Sequence, residues 1–187
     1  LAHAAGKDPV AYRLGLLGNE PRIANVLKIA AEKSGWGRKL PKGRALGVAI
    51  MEGYGTYMAQ VAEVSVTEGN IKVHKVWVVS DQGNMVNPEI VRQQLESGIV
   101  YGLSGALYTE NTLANGRIQQ ANFNDFTPIR QNQSPVIDVT LVESANKPGG
   151  VGEPSTSLIG PAVANAIFAA TGKRVRSMPL AKAMKSA

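Results

Sequence analysis

The sequence contains no cysteine and only two histidines, His3 and His74, among 187 residues. Without cysteine, the chain has no thiolate to offer to zinc, to an iron–sulfur cluster or to nucleophilic catalysis, and two histidines do not complete a metal site. Aromatic residues make up only 5%, whereas hydrophobic residues reach 44% and charged residues 18%. This composition excludes a disordered tail, a collagen and a disulfide-built mini-protein, and it favours a globular chain with a buried core.

Long apolar runs are also missing. The longest nearly apolar stretch covers residues 158–170 and contains Pro161 and Asn165. Because a membrane span needs roughly 20 apolar residues, this stretch predicts a buried helix, and the chain is expected to have no transmembrane segment. The chain begins at Leu1 with no signal-peptide pattern, so we expect a processed product or a piece of a longer protein.

Basic residues are concentrated at the two ends of the chain. Residues 1–44 carry nine Lys/Arg and three Asp/Glu, residues 45–172 carry six and eleven, and residues 173–187 carry five and none. A formal net charge of +6 is compatible with nucleic-acid binding. Because the basic ends lack interleaved aromatic residues and a recognition-helix pattern, we expect a solvated or subunit-facing basic surface and no nucleic-acid partner.

The N-terminal segment is predicted to be helical. A first helix starts at Pro9, since proline suits the first helical position, and a second helix runs from near Pro21 to Gly35. A linker rich in glycine, proline and basic residues follows. We therefore predict a helical pair and linker over residues 1–43, forming a separate small unit that packs on a domain spanning residues 44–187.

After the linker, the apolar period changes from helical to alternating. Residues 44–52 and 56–67 predict strands, and residues 71–78 predict the antiparallel partner of the second strand. Residues 88–107 predict a helix with three glycines, which weaken it unless another element packs closely against them.

The remaining pattern completes the fold class. A second hairpin turn at residues 114–116, a strand at 136–142 and an apolar helix at 158–171 follow in order. Strands and helices are mixed without a regular βαβ alternation. The predicted class is therefore α+β, with a mixed sheet and packed helices.

The Gly-Gly-Val-Gly segment at residues 149–152, followed by Glu153 and Pro154, is the strongest candidate for a functional loop. Its glycines allow unusual dihedrals and a close approach of the backbone to a ligand. Pro154 predicts an extended backbone at Glu153, and the hydroxyl residues at 155–157 are candidate helix caps. The loop lacks the features of a P-loop or a dinucleotide fingerprint. A general base is one interpretation of Glu153, and a surface glutamate in a glycine-rich turn is the other.

Several short motifs, taken in order, resemble a known family. They are Asp81-Gln82-Gly83-Asn84-Met85-Val86-Asn87-Pro88, Gln94-Leu95-Glu96-Ser97-Gly98, Gly102-Leu103, Gln120-Ala121-Asn122-Phe123, the Glu153 loop, Asn165-Ala166 and Ala170-Thr171-Gly172-Lys173-Arg174. Together they resemble the C-terminal part of the molybdenum-binding large subunit of the xanthine dehydrogenase/aldehyde oxidase family. Residues 32–37 and 55–64 resemble the isoquinoline 1-oxidoreductase branch in particular. The resemblance covers essentially the whole chain.

The resemblance implies a segment of a molybdenum hydroxylase that oxidises an N-heterocycle or an aldehyde, with water as the oxygen source. In this family the glutamate of Gly-Val-Gly-Glu is the catalytic base, here Glu153, and Gly150, Val151 and Gly152 are implied to lie against the cofactor. The implied cofactor is molybdopterin, in this branch in its cytosine dinucleotide form. Gln94 falls on the glutamine of the family's Gln-x-Glu-Gly motif, whose amide lies close to the pterin.

The resemblance also implies partners. The upstream part of the same large subunit would complete the cofactor site, and a small subunit with two 2Fe–2S clusters would take up the electrons from the small-molecule substrate. The chain alone is expected to be inactive. A non-catalytic cofactor- or partner-binding module of the same fold is the alternative, and both the periplasm and the cytoplasm of a bacterium are compatible locations.

Other polar residues have structural interpretations. Asp81 and Asn87 are expected to fix the turn before the 88–107 helix, and Glu96 to cap or pair inside that helix. Ser97 departs from the family's glycine, and His74 is expected to be an exposed strand residue. A polar–aromatic set either lines a substrate funnel or supports the core and loops: Asn122, Phe123, Asp125 and Arg130.

Overall fold

The computed structural model describes residues 1–185. Its helices and strands are, in chain order, α1 (Pro9–Leu16), α2 (Pro21–Ser34), β1 (Arg44–Gly53), β2 (Thr56–Thr67), β3 (Asn70–Asp81), α3 (Pro88–Leu107), β4 (Leu113–Ala114), β5 (Arg117–Ile118), β6 (Val136–Leu141), α4 (Pro154–Thr171) and α5 (Leu180–Lys185). Within residues 1–185, no helix is both long enough and apolar enough to cross a membrane.

The first two helices form where the sequence provides their ends. The Asp8 carboxylate accepts hydrogen bonds from the backbone N–H of Val10 at 2.9 Å and of Ala11 at 2.8 Å. Pro9 follows as the first helical residue. At the end of α2, Gly35 adopts φ +62°, the left-handed conformation that glycine takes without strain. The predicted pair of helices is confirmed.

One mixed sheet of four strands organises the chain. Its order is β1-β2-β3-β6, with antiparallel pairing from β1 to β3 and parallel pairing between β3 and β6. The predicted hairpin, the strand near residues 136–142 and the short second hairpin, β4–β5, are all confirmed. The α+β class with a mixed sheet is confirmed with them.

Helices cover both faces of this sheet. Val76 and Val78 belong to an apolar cluster with α3 and α4, whereas Trp77 and Val79 belong to a second cluster with α1 and α2. This division follows from the two-residue period of a strand, which sends successive side chains to opposite faces. The domain division between residues 43 and 44 stays a prediction.

The start of α4 differs from the prediction. The helix begins at Pro154, because proline has the φ of a first helical residue, and not near residue 158. Ser155, Thr156 and Ser157 therefore lie inside the first turn, and the interpretation of these three residues as caps is wrong. The last helix, α5, was not predicted, since six residues are too few to show a helical period.

Candidate functional site

The loop that carries Glu153 connects β6 to α4 and crosses the end of the sheet. The backbone N–H of Gly149 donates to the carbonyl of Gln82 at 2.7 Å, and that of Gly150 donates to the carbonyl of Tyr54 at 2.8 Å. The Thr56 hydroxyl donates to the carbonyl of Gly150 at 2.7 Å. These bonds fix the loop against the β1–β2 turn on one side and against the residue after β3 on the other.

Close packing explains two of the three glycines in this loop. A Cβ on Gly149 would lie 2.6 Å from the Gly55 carbonyl oxygen, and a Cβ on Gly150 would lie 3.1 Å from the Tyr54 Cβ. Apart from its two chain neighbours, no residue of the described chain has a heavy atom within 4 Å of the corresponding point on Gly152. The space beside Gly152, immediately before Glu153, is therefore open.

Glu153 is exposed at the start of α4 and does not have the predicted extended backbone. Its φ of −115° and ψ of −17° lie near the helical region, because its carbonyl already accepts the Thr156 N–H at 3.0 Å. The prediction from Pro154 is wrong because this first hydrogen bond of α4 outweighs the local steric preference. The carboxylate caps no N–H of α4 within the described chain. The side chain is thus presented to the surface from a fixed backbone.

Two glycines bring α3 against the first turns of α4. A Cβ on Gly98 would overlap the Ser155 hydroxyl, and a Cβ on Gly102 would lie 2.5 Å from the Thr156 carbonyl oxygen. The expected close partner of these glycines is therefore α4. Gln94 lies four residues before Gly98 and so on the same side of α3. It is exposed, which places its amide on the surface of α3 towards the start of α4.

Asp81 and Asn87 hold the connection that leads into α3. Asn87 accepts hydrogen bonds from the backbone N–H of Glu89 and Ile90, both at 3.1 Å, and Asp81 accepts one from Gly83 N–H at 3.1 Å. Their expected role in the turn is confirmed. Arg22 of α2 also binds Asp81 through Nε at 2.8 Å and Nη2 at 2.7 Å. This hydrogen bonding holds the pKa of Asp81 below its ordinary value of 3.8, and the sequence pattern did not indicate this ion pair.

The four residues of the predicted polar–aromatic set lie in the segment between α3 and β6. Asn122, Phe123 and Asp125 are exposed, and Asp125 accepts the Ala121 N–H within its own loop at 3.2 Å. The exposed Arg130 bonds through its backbone N–H to the side chain of Gln133 at 2.8 Å. These contacts support their loop, and a role in a substrate funnel stays a prediction.

His74 is half-buried and not exposed. One of its ring nitrogens lies 2.7 Å from the Ser65 hydroxyl on β2. Burial, followed by the charges of Arg44 and Lys72, lowers the pKa of His74 from 6.5. The exposed interpretation is wrong because residue 74 faces a neighbouring strand across the hairpin.

Sequence reasoning missed Thr56 and Gln60, which bind the Glu153 loop and α4 from β2. Gln60 is fully buried, and its amide nitrogen donates to the carbonyl of Ser155 at 2.9 Å. The available signal was a glutamine at an inward position of a strand, between the apolar Met58 and Ala62. The partner lies 95 positions further along the chain, which no local pattern reveals.

Comparison with known proteins identifies relatives of the chain. Residues 28–135 match the family model of the molybdopterin cofactor-binding domain. The chain is 38% identical to isoquinoline 1-oxidoreductase subunit beta of Brevundimonas diminuta, over 98% of the chain and 24% of that protein. It is 35% identical to a membrane-bound aldehyde dehydrogenase (pyrroloquinoline-quinone) of Gluconacetobacter polyoxogenes, over 96% of the chain and 26% of that protein.

A solved structure has the same fold. The aldehyde oxidoreductase of Desulfovibrio gigas superposes on 70% of the chain and 15% of its own length, with a TM-score of 0.62 and 24% identity. At this identity the structural similarity supports the fold assignment alone. The chain spans about a quarter of the length of the two curated relatives described above.

Proposed function

Because the chain belongs to the molybdopterin cofactor-binding family of the molybdenum hydroxylases, we propose that it supplies the catalytic base and part of the pterin-binding surface of such an enzyme. The proposed base is Glu153. The proposed reaction is the hydroxylation of an electron-poor carbon in an N-heterocycle or an aldehyde, with the oxygen taken from water.

The presentation of Glu153 is the observation that supports this proposal most directly. Its carboxylate is exposed and caps no backbone N–H within residues 1–185, while the backbone around it is tied to the β1–β2 turn, to Gln82 and to β2. A glutamate in an ordinary surface turn needs no such support. A general base does, since proton transfer requires a carboxylate oxygen at a defined place beside the group that loses the proton.

The residues around Glu153 fit a bound pterin. The exposed amide of Gln94 offers two donors and an acceptor, which suits the edge of a neutral heterocycle. Gly150 and Gly152 are exposed, the space beside Gly152 is open, and Val151 anchors the loop by packing against the main apolar cluster. When bound, molybdopterin supplies the molybdenum that accepts the electrons of the substrate. Glu153 accepts the proton released from the oxygen that is transferred, and Gln94 and the loop orient the pterin.

Further polypeptide is proposed to cover this surface. Several apolar side chains near the candidate site are largely exposed: Tyr54 at 67%, Val86 at 98%, Ile90 at 52% and Tyr101 at 74%. Large apolar side chains that are exposed in this way are typical of surfaces that become buried in an assembly. We assign the cover to the upstream part of the same large subunit, and electron uptake to a small subunit with two 2Fe–2S clusters. The cytosine dinucleotide form of the cofactor is part of the same proposal.

The decisive experiment replaces Glu153 in the assembled enzyme. Glu153→Gln keeps the size of the side chain but removes its ability to accept a proton, so reduction of the enzyme by substrate in a single turnover should slow by at least about 100-fold. Glu143→Gln, which changes an exposed carboxylate in the same connection, is the matched control and should react like the unchanged enzyme. Reduction of Glu153→Gln at the unchanged rate, at equal molybdenum content, would contradict the proposal.

Metal and pterin analysis of the purified complex separates an enzyme from a non-catalytic module. We expect stoichiometric molybdenum and pterin, and their loss when the upstream segments are removed. One relative is named for pyrroloquinoline quinone, so quinone analysis belongs in the same experiment. An active, intact complex without molybdenum would exclude the proposed chemistry.

A further inference from the structure

Two side chains of β2 bind the backbone on either side of Glu153. The Thr56 hydroxyl donates to the carbonyl of Gly150, three residues before Glu153, at 2.7 Å. The amide nitrogen of Gln60 donates to the carbonyl of Ser155, two residues after it, at 2.9 Å. Both donors are fully buried and lie on the same face of one strand. Glu153 therefore lies between two fixed points.

The strand that provides these points is well suited to hold them. β2 is paired along its length with β1 on one side and with β3 on the other. Residues four positions apart on a strand are separated by about 13 Å. The two donors are thus held at a fixed distance from each other. One binds the loop before Glu153, and the other binds the helix after it.

Gln60 is a poor choice for stability alone. The neighbouring inward positions, Met58 and Ala62, belong to the main apolar cluster, and glutamine is rarely fully buried. Its Oε1 atom is buried and has no hydrogen-bond partner within residues 1–185, which opposes folding. An apolar residue of similar size would fill the same space without this cost. What glutamine adds is a donor that reaches the first turn of α4.

We propose that Gln60, together with Thr56, is a positioning residue that holds the Glu153 carboxylate at its working place. This inference rests on the proposed role of Glu153 as the base. Gln60 is fully buried within the described chain, so its role is positioning and not direct contact with substrate. It acts through the carbonyl of Ser155, and so through the direction in which α4 leaves Glu153.

The test compares Gln60→Met with Ser80→Ala in the complete, molybdenum-loaded enzyme. Methionine keeps the length of the side chain and removes the donor. Ser80→Ala also removes a fully buried polar atom, but one that binds nothing in the described chain. Since a displacement of about 1 Å can cost up to 100-fold in rate, we expect Gln60→Met to slow reduction by substrate roughly 10- to 100-fold at unchanged molybdenum content. Ser80→Ala should leave the rate unchanged.

A double-mutant cycle separates positioning from general support. In a Glu153→Gln background, Gln60→Met should cause no further loss of rate, because there is no base left to misplace. If the two losses multiply instead, Gln60 acts independently of Glu153 and the proposal is overturned. Thr56→Val removes the donor on the other side of Glu153, and it should likewise slow the enzyme only when Glu153 is present. This variant replaces Gln60→Met if Gln60→Met does not fold.

Amide hydrogen exchange provides a readout that does not depend on activity. Gln60→Met should speed exchange in the first turns of α4, at residues 155–159, whereas Ser80→Ala should not. If Glu153→Gln reacts normally while this exchange is faster, the proposed base is wrong and the attachment of α4 is still supported. Unchanged exchange and an unchanged rate in Gln60→Met, alongside a slow Glu153→Gln, would overturn the positioning role alone.

Discussion

Gly102 of α3 faces the backbone of Thr156 in α4, and a Cβ at position 102 would lie 2.5 Å from the Thr156 carbonyl oxygen. Thr156 is three residues beyond Glu153, and Gly102 is two turns beyond Gln94 on α3. The contact therefore sets the distance between the two helices that carry the proposed base and the proposed pterin ligand.

Replacing Gly102 by alanine should force these helices apart. Backbone atoms cannot move aside without cost, so we expect Gly102→Ala to lower the free energy of unfolding by about 1–3 kcal/mol. The matched control is Gly105→Ala on the same helix, where the nearest atom to a new Cβ, apart from chain neighbours and the backbone of α3 itself, is Thr109 Oγ1 at 3.9 Å. Because alanine favours a helix over glycine by up to about 1 kcal/mol, that control should be neutral or stabilising. Denaturant unfolding of the purified subunit measures both, and equal effects would contradict the packing argument.

Local patterns in the sequence predicted the elements well, because those elements are encoded locally. The change from a helical to an alternating period near residue 44 located β1, and Asp8-Pro9 and Asn87-Pro88 located the starts of α1 and α3. The glycines of α3 also indicated a close neighbour. Which element this neighbour was, α4, did not follow from the pattern.

The site was harder to predict, since its supports are distant in sequence. Arg22 and Asp81 are 59 positions apart, and Gln60 and Ser155 are 95 apart. Such pairs depend on the sheet placing α2 and α4 on its two faces. The proposed roles of Glu153 and Gln94 came from the resemblance to a family. The extended backbone predicted for Glu153 was wrong because a helical hydrogen bond overrode the local steric preference.

The Arg22–Asp81 pair predicts a pH dependence of stability. Arg22 lowers the pKa of Asp81 in the folded state from 3.8. The ionised carboxylate therefore stabilises the fold fully above about pH 4, and this contribution is lost as the pH falls through the lowered pKa. Asp81→Asn should be less stable near neutral pH and should lose less stability between pH 6 and pH 3.

Unfolding experiments across this pH range measure the effect. Asp125→Asn, which changes an exposed carboxylate in a loop, serves as the control and should keep the acid dependence of the unchanged protein. The same acid dependence in Asp81→Asn and in the unchanged protein would show that the pair does not control the acid response.

Gly83 contacts the loop that carries Glu153 near residue 147, well before Glu153 itself, and so tests how this part of the loop is held. It has φ +78°, and a Cβ there would overlap the carbonyl oxygen of Lys147. Gly116 has nearly the same φ, +73°, but apart from its chain neighbours no heavy atom of the described residues lies within 4 Å of the corresponding point. Alanine at either position bears the strain of the left-handed conformation, roughly 1–2 kcal/mol. Only Gly83→Ala must also displace the backbone of residues 146 and 147.

We therefore expect Gly83→Ala to be less stable than Gly116→Ala by about 1–3 kcal/mol. The bond from the Gly149 N–H to the Gln82 carbonyl should weaken as well, which hydrogen exchange at Gly149 measures. Equal stability of the two variants would mean that the loop adjusts freely and is not fixed by its passage over Gly83.

The last prediction concerns Gln94 as a ligand of the pterin. Its amide is exposed, lies on the side of α3 that faces the start of α4, and has no hydrogen-bond partner within residues 1–185. Removal of this amide should therefore cost the fold little and the cofactor much. We expect Gln94→Ala to change the free energy of unfolding of the cofactor-free subunit by no more than about 0.5 kcal/mol, as is usual for exposed sites. Loss of one hydrogen bond to a neutral ligand corresponds to roughly 0.5–1.5 kcal/mol, or about 2- to 12-fold in pterin affinity.

Gln93→Ala, one position away and therefore on another side of α3, should retain the cofactor. Molybdenum and pterin content at limiting cofactor supply is the measurement, and equal content in the two variants would remove Gln94 from the site.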